Sequence, residues 1–334
     1  MFKHNASNVI LIFLFLIAVT TPLLADSETG TWTQGAPALA NRTEIAAAAL
    51  DGKIFVVGGF SKPSLSNVLD FAISRDVEVY DPIVDSWSTT TPLPEGRHHA
   101  GIATLDGFLY IIGGFAKSGF SVWHAVNTVY QFNPATQTWR ERTPMLTARG
   151  ALGVTVYQGK IYAIGGYDGK QNSGATEIYD PKTDTWSTAA PLMAPRDHLA
   201  VAVANSRIFA IGGRSNLKYR QNTSVVESYD PDTNQWQYKA SLPTARSGIS
   251  AGVINDQIYV LGGESGEGTF DNNERYLPDE DRWTTLTPMP TARHGLGVAV
   301  INKRLYAIGG GTSPGASFSR INEIFVPEKS LQHH

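Results

Sequence analysis

Apolar residues in this chain fall into short runs that stop abruptly at glycine. Ile54-Phe55-Val56-Val57 closes on Gly58-Gly59, and equivalent runs close on Gly113-Gly114, Gly165-Gly166, Gly212-Gly213, Gly262-Gly263 and Gly309-Gly310. The runs are too short for helices and rich in β-branched and aromatic side chains, which predicts strands. Before each run lies a stretch of small apolar residues, such as 296–301, joined to it by a tight polar turn such as Asp51-Gly52. That is the pattern of a hairpin. After each of the first five glycine pairs comes a strand ending in an aromatic (Tyr80, Phe132, Tyr179, Tyr229, Tyr276), then a turn, then a tryptophan (Trp87, Trp139, Trp186, Trp236, Trp283). Proline follows the strand end in all five units, for example Asp81-Pro82 and Leu277-Pro278, and withholds a ladder donor there. Each unit therefore reads as four strands, a to d.

The second glycines lie 55, 52, 47, 50 and 47 residues apart, so the pattern is an internal repeat. The sixth unit has its glycine pair and a strand c at 323–326, but no tryptophan follows it. Trp32, within 31–34, has the composition of a strand d and is expected to complete the last unit from the other end of the chain. Closing a ring in this way leaves no open sheet edge. The predicted fold is all-β: a six-bladed propeller over 26–327, with 328–334 as a tail.

Composition narrows the chemistry. There is no cysteine, so neither disulfides nor thiolate chemistry can contribute. A net charge of -3 without any block of Lys or Arg gives no footprint for nucleic acid. Lys3 and His4 precede an apolar run at 9–19 and then Pro22 and Ala25, the layout of a secretory signal peptide over 1–25. The run is about half of the roughly 20 residues that span a bilayer. A secreted or periplasmic monomer is expected, with no membrane insertion after leader removal and no cofactor.

A doubled glycine, then tyrosine, then tryptophan at a period near 50 resembles the kelch repeat, with Phe132 and Phe325 in place of tyrosine and Leu277 in place of aspartate. The resemblance covers 32–326 and implies a six- or seven-bladed propeller. Within that family it offers two enzyme precedents. The copper radical oxidases need a cysteine cross-linked to tyrosine, which this chain lacks. The periplasmic N-acetylneuraminate epimerase is similar in size, leader and blade count, and implies sugar anomer interconversion. Intracellular kelch adaptors imply recognition of acidic peptides through arginines that precede strand a.

Antiparallel connection puts the a–b and c–d turns at one end of the propeller and the b–c and d–a connections at the other. The b–c loops (60–72, 115–125, 167–174, 214–224, 264–272, 311–320) vary in length, which marks that end for recognition. The same end receives Arg42, Arg97, Arg149, Arg196, Arg246 and Arg293, one before each strand a. Five have a candidate partner in strand c: Glu78, Glu177, Glu227, Glu274 and Glu323. In the second unit Tyr130 stands there instead, so Arg97 is expected to be freest to grip a carboxylate. His98 and Trp123 complete the candidate ligand site, and Glu44 and Asp197 are the acids beside the arginines. His98 and His294 follow their arginines by one residue, His99 and His198 by two. Strand alternation sends the two pairs to opposite sides, so no metal site is expected. The expected function is binding of an acidic ligand, a carboxylated sugar or an acidic protein segment, at an arginine-ringed mouth. The alternatives are a sugar epimerase and a protein-interaction scaffold, and no catalytic residue is assigned.

Overall fold

The computed structural model describes Met1, residues 30–65 and residues 72–328. The expected leader, the last residues of the tail and part of the 60–72 loop lie outside the described residues. Six four-stranded antiparallel sheets form the blades. The first consists of Ala46–Leu50, Lys53–Val57, Val77–Asp81 and Ser86–Thr89, strand a innermost and d outermost. The last blade runs Gly297–Ile301, Arg304–Ile308, Asn322–Pro327, and its fourth strand is Gly30–Gln34. Trp32 sits opposite Phe325 in that pair, so the ring closes as the sequence predicts. Among the described residues no helix is long and apolar enough to cross a membrane.

Three devices hold neighbouring blades together, and each repeats. The strand d tryptophan packs on the strand c aromatic, with ring centroids 4.8 to 5.1 Å apart in all six blades. Its indole N–H donates to a carbonyl of the preceding blade, from Trp87 to Ala36 at 2.7 Å through to Trp32 to Thr287 at 2.9 Å. The second device is the turn between c and d, where Asp85, Asp184 and Asp281 accept the hydroxyls of Tyr80, Tyr179 and Tyr276 of their own blade and the N–H of Ala36, Thr143 and Ala240 of the preceding one. The third is the glycine pair. Gly59 has φ 87°, its N–H donates to the Arg97 carbonyl of the next blade at 2.7 Å, and a Cβ there would stand 2.5 Å from the Thr43 carbonyl. Only glycine permits that approach.

Candidate functional site

Sequence and structure place the six arginines at one end, yet all are at most 1% exposed. Arg42, Arg149, Arg196 and Arg293 pair with Glu78, Glu177, Glu227 and Glu323 at 2.5 to 3.2 Å, and Arg246 pairs with Glu274. Each of the five also donates to the carbonyl of the first glycine of its own blade's pair, as Arg149 does to Gly165 at 2.5 Å. These guanidiniums brace the turn after strand b. Arg97 is no freer. Its guanidinium lies 5.6 Å over the Tyr130 ring, meets Glu95 at 2.8 Å and donates to Thr128 Oγ1 at 2.8 Å. The expectation of an unpartnered Arg97 is thereby corrected: a glutamate two residues upstream replaces the one missing from strand c. None of the six arginines is among the residues lining the mouth cavity.

What does face the axis is the residue two positions after each arginine: Glu44, His99, Ala151, His198, Gly248 and Gly295. All six adopt left-handed backbone, φ 52° to 65°. The N–H of His99 donates to the Glu44 carbonyl, Ala151 to His99, His198 to Ala151, Gly248 to His198 and Gly295 to Gly248, at 2.9 to 3.2 Å. Ile45 N–H reaches the Gly295 carbonyl at 3.4 Å and completes the circuit. Four of the six positions are not glycine, and each such residue bears a backbone cost of roughly 1 kcal/mol. The turn also overrides strand alternation. His98 and His99 therefore meet, Nδ1 to Nδ1 at 2.6 Å, and the His99 and His198 rings stand 4.6 Å apart. Divergence of these histidines requires extended backbone, and at His99 and His198 the backbone is left-handed instead.

The position one after each arginine pairs with the residue that follows the next glycine pair: Thr43 with Phe60, His98 with Phe115, Gly150 with Tyr167, Asp197 with Arg214, Ser247 with Glu264, His294 with Gly311. Aromatics thus occupy half of the circle and charges much of the other half. His198 Nδ1 donates to Asp197 at 2.5 Å and its Nε2 accepts from Arg214 Nη2 at 2.7 Å. Arg214 Nη1 donates to Glu264 at 2.6 Å. His294 Nδ1 donates to Glu44 at 3.1 Å and lies 3.6 Å from Glu264, while His99 Nε2 lies 3.0 Å from the other Glu44 oxygen. His98 Nε2 meets the Val122 carbonyl at 2.7 Å; a carbonyl only accepts, so His98 carries its proton there and receives the His99 Nδ1–H on the other nitrogen.

Charge states follow from these partners. Burial would raise the Glu44 carboxyl, but the His99 charge and the hydrogen bonds from His294 and His99 outweigh it and hold it well below the usual carboxylate range. Burial, with Arg214 beside it, pushes His198 down to about 4, so its ring is neutral. Burial and His99 likewise push His98 well down. His294 goes the other way: burial lowers it, and the Glu44 hydrogen bond with the Glu44 and Glu264 charges more than compensates. Burial raises Asp197, and its bonds from His198 and the Leu217 N–H, with the Arg214 charge, bring it below its ordinary value.

Above this network opens a cavity of about 430 Å³, lined among others by Glu44, His99, Arg214, Glu264, Phe60, Trp123, Tyr219 and Phe318. Trp123 is 39% exposed and stands edge-on to His98 and tilted to His99, with centroids 5.1 and 5.2 Å away. It sits on the hairpin Phe115–Ser118, Ser121–Ala125; Tyr219 sits on a second hairpin, Arg214–Ser215, Lys218–Asn222. Below, strand a residues such as Ala47, Gly101 and Gly153 line an axial channel of about 190 Å³. Of the candidate residues, Trp123 lines the cavity and His98 lies directly behind it, fully buried. Glu264, Arg214 and Phe60 were legible only as the first residue after a glycine pair, a position that the repeat hides by filling it with five residue types in six blades.

Comparison with known proteins agrees with the repeat. The Kelch motif matches residues 41–94, 96–146 and 245–290, and the KLHDC2/KLHL20/DRC7 Kelch-repeats domain matches 142–263. Kelch-like protein 28 of Homo sapiens is 42% identical over 103 residues, 30% of this chain and 18% of that protein. Kelch-like protein 35 of Mus musculus is 34% identical over 143 residues, 42% of this chain and 22% of that protein. Kelch-like protein terF of Aspergillus terreus is 32% identical over 127 residues, 37% of this chain and 27% of that protein. The matched stretch is thus under a third of each of these relatives. A solved structure titled "Structure of YjhT" superposes with a TM-score of 0.74 over 87% of this chain and 96% of that one, at 19% identity, a likeness of fold alone.

Proposed function

Since the chain belongs to the kelch-repeat propellers, we propose that it binds one small acidic ligand, a carboxylated sugar, in the mouth of the propeller. The observation that carries this reading is the cavity itself: about 430 Å³, with Phe60, Trp123, Tyr219 and Phe318 for an apolar sugar face and Glu44, His99, Arg214 and Glu264 for its hydroxyls. The acidic class is supported by the rim rather than by the buried arginines. Lys62, Arg75, Lys117, Lys170, Lys218, Arg220 and Arg320 are exposed on the connections at that end, against the exposed Asp76, Glu95, Glu267 and Asp271 and the half-buried Asp168. The apolar start of the chain supports a setting outside the cytoplasm.

The test is calorimetric titration of the full chain with uronates, sialic acids, neutral hexoses and acidic peptides. Acidic sugars are expected to bind, and Trp123→Ala to weaken them at least tenfold, because stacking area is lost. Equal binding of neutral hexoses would remove the acidic class, and no sugar binding at all would remove the reading. A second reading has its own observation: Phe120, 96% exposed at the hairpin tip beside Lys117, suits an acidic protein segment bearing an apolar residue. Phe120→Ser abolishing peptide binding without touching sugar binding would favour it. Anomer exchange is the activity to assay on any sugar that binds, because a carboxylate and an imidazole, Glu44 and His99, stand 3.0 Å apart at the cavity wall.

A further inference from the structure

We infer that Glu44, His99 and His198 form a site for one divalent transition-metal ion of the zinc class, seated at the floor of the mouth. Their ligand atoms lie within 4.8 Å of one another, and Glu44 Oε2 to His99 Nε2 is already 3.0 Å. Two ligands at about 2.1 Å from a common ion stand roughly 3.0–3.4 Å apart, so modest rotation of the His198 ring or the Glu44 carboxylate closes the set. Two imidazoles and one carboxylate with the cavity on the open side is the arrangement that leaves coordination positions for a ligand.

Two further observations point the same way. Each ligand is oriented from behind, as metal ligands are. Asp197 takes the His198 Nδ1–H, His98 takes the His99 Nδ1–H, and His294 donates to the Glu44 oxygen that does not face His99. In both rings the tautomer so fixed leaves Nε2 as the lone pair that faces inward. The second observation is the gathering of carboxylates. Asp197 and Glu264 lie beside the set, with Arg214 between them and His294 between Glu264 and Glu44. Carboxylates placed around imidazoles in this way favour a bound cation. Arg214 Nη2 rests on His198 Nε2 at 2.7 Å and must release it, but its contacts with Glu264 and Asp197 hold it in place when it does. With the ion bound, Glu44 and His99 are ligands, and the positive charge that a carboxylate needs at the mouth comes from the metal. The inference does not rest on sugar binding and survives its failure.

The experiment uses the full chain in a His333→Gln, His334→Gln background, so that the terminal histidine pair offers no second place for metal. After EDTA stripping it is titrated with Zn²⁺ by calorimetry and with Co²⁺ by visible absorption. One ion per chain is expected, with His99→Gln and His198→Gln each weakening it at least tenfold and Asp197→Asn weakening it roughly 10- to 100-fold through ring orientation alone. His124→Gln, on the exposed hairpin, is expected to leave affinity unchanged. Absence of saturable binding at one ion per chain, or binding that persists in the doubly substituted His99→Gln, His198→Gln chain, overturns the site. Should those variants fail to fold, proton NMR of the Co²⁺-loaded parent decides: two paramagnetically shifted imidazole N–H signals support the site, and none overturns it.

Discussion

Gly295 lies between Gly248 and Glu44 in the axial ring, and the neighbouring Glu44 is the reason it carries no side chain. A Cβ on Gly295 would meet the Glu44 carboxyl carbon at 2.6 Å. The backbone itself tolerates a side chain there, since Ala151 occupies the equivalent place at φ 53°. Gly295→Ala is therefore expected to cost about 1 kcal/mol in thermal unfolding, the ordinary left-handed penalty, while displacing Glu44 and abolishing whatever the mouth binds. Ala151→Gly, the reverse change on the side without a carboxylate, is expected to leave binding intact. Unimpaired binding in Gly295→Ala would show that Glu44 does not contribute. At this scale the sequence was half legible. The recurring arginines announce a ring, but an arginine aimed at solvent and one turned back onto its own strand share the same spacing. Only the left-handed turn that follows decides which residue reaches the axis.

Strands and turns were far more legible, because each blade repeats the same contacts and six instances average out local exceptions. Blade four shows what may vary: Asn234 accepts the Tyr229 hydroxyl at 2.8 Å and the Ala190 N–H at 2.8 Å, where three other blades use aspartate. Those aspartates are depressed below their ordinary value of 3.8. For Asp281, burial raises it and the Tyr276 hydroxyl and Ala240 N–H outweigh that; for Asp85 the Ala36 N–H dominates. A depressed carboxylate contributes stability that is present above 3.8 and is lost as pH falls through the lower folded value. Melts recorded from pH 6 down to pH 2 are expected to lose stability below about pH 4, and less steeply in Asp281→Asn, which keeps both hydrogen bonds in the manner of blade four. A steeper loss in that variant would contradict the assignment. Ring closure has its own test. Trp32 packs on Phe325 and bonds to Thr287, so Trp32→Ala is expected to cost roughly 2–3 kcal/mol, below the 3–5 of a fully buried aromatic, and to do so cooperatively for the whole ring.

Across the whole molecule the formal charge of -3 is spread unevenly. On the far end the exposed Asp51, Asp106, Asp232, Asp256, Asp279 and Glu280 stand beside the equally exposed Lys53, Lys160, Lys182, Arg282, Lys303 and Arg304, whereas around the mouth the exposed cations named above outnumber the acids. The excess of cations at the rim draws an anion toward the cavity, which raises the association rate without any contact. The buried Arg–Glu pairs add nothing to it, being neutral as pairs, so the steering belongs to the rim lysines and to Arg220. Stopped-flow tryptophan fluorescence with an acidic sugar is expected to show association slowing by roughly three- to tenfold between low salt and about 0.5 M salt, as the screening length shrinks to a few ångströms, with dissociation nearly constant. Lys218→Glu with Arg220→Glu is expected to flatten that dependence and slow association at low salt, because it reverses the charge of the hairpin that carries Tyr219. A neutral sugar should respond to neither change. If the acidic ligand instead loses affinity through faster dissociation alone, the attraction resides in the cavity, at Arg214 and the proposed ion site, rather than in the rim.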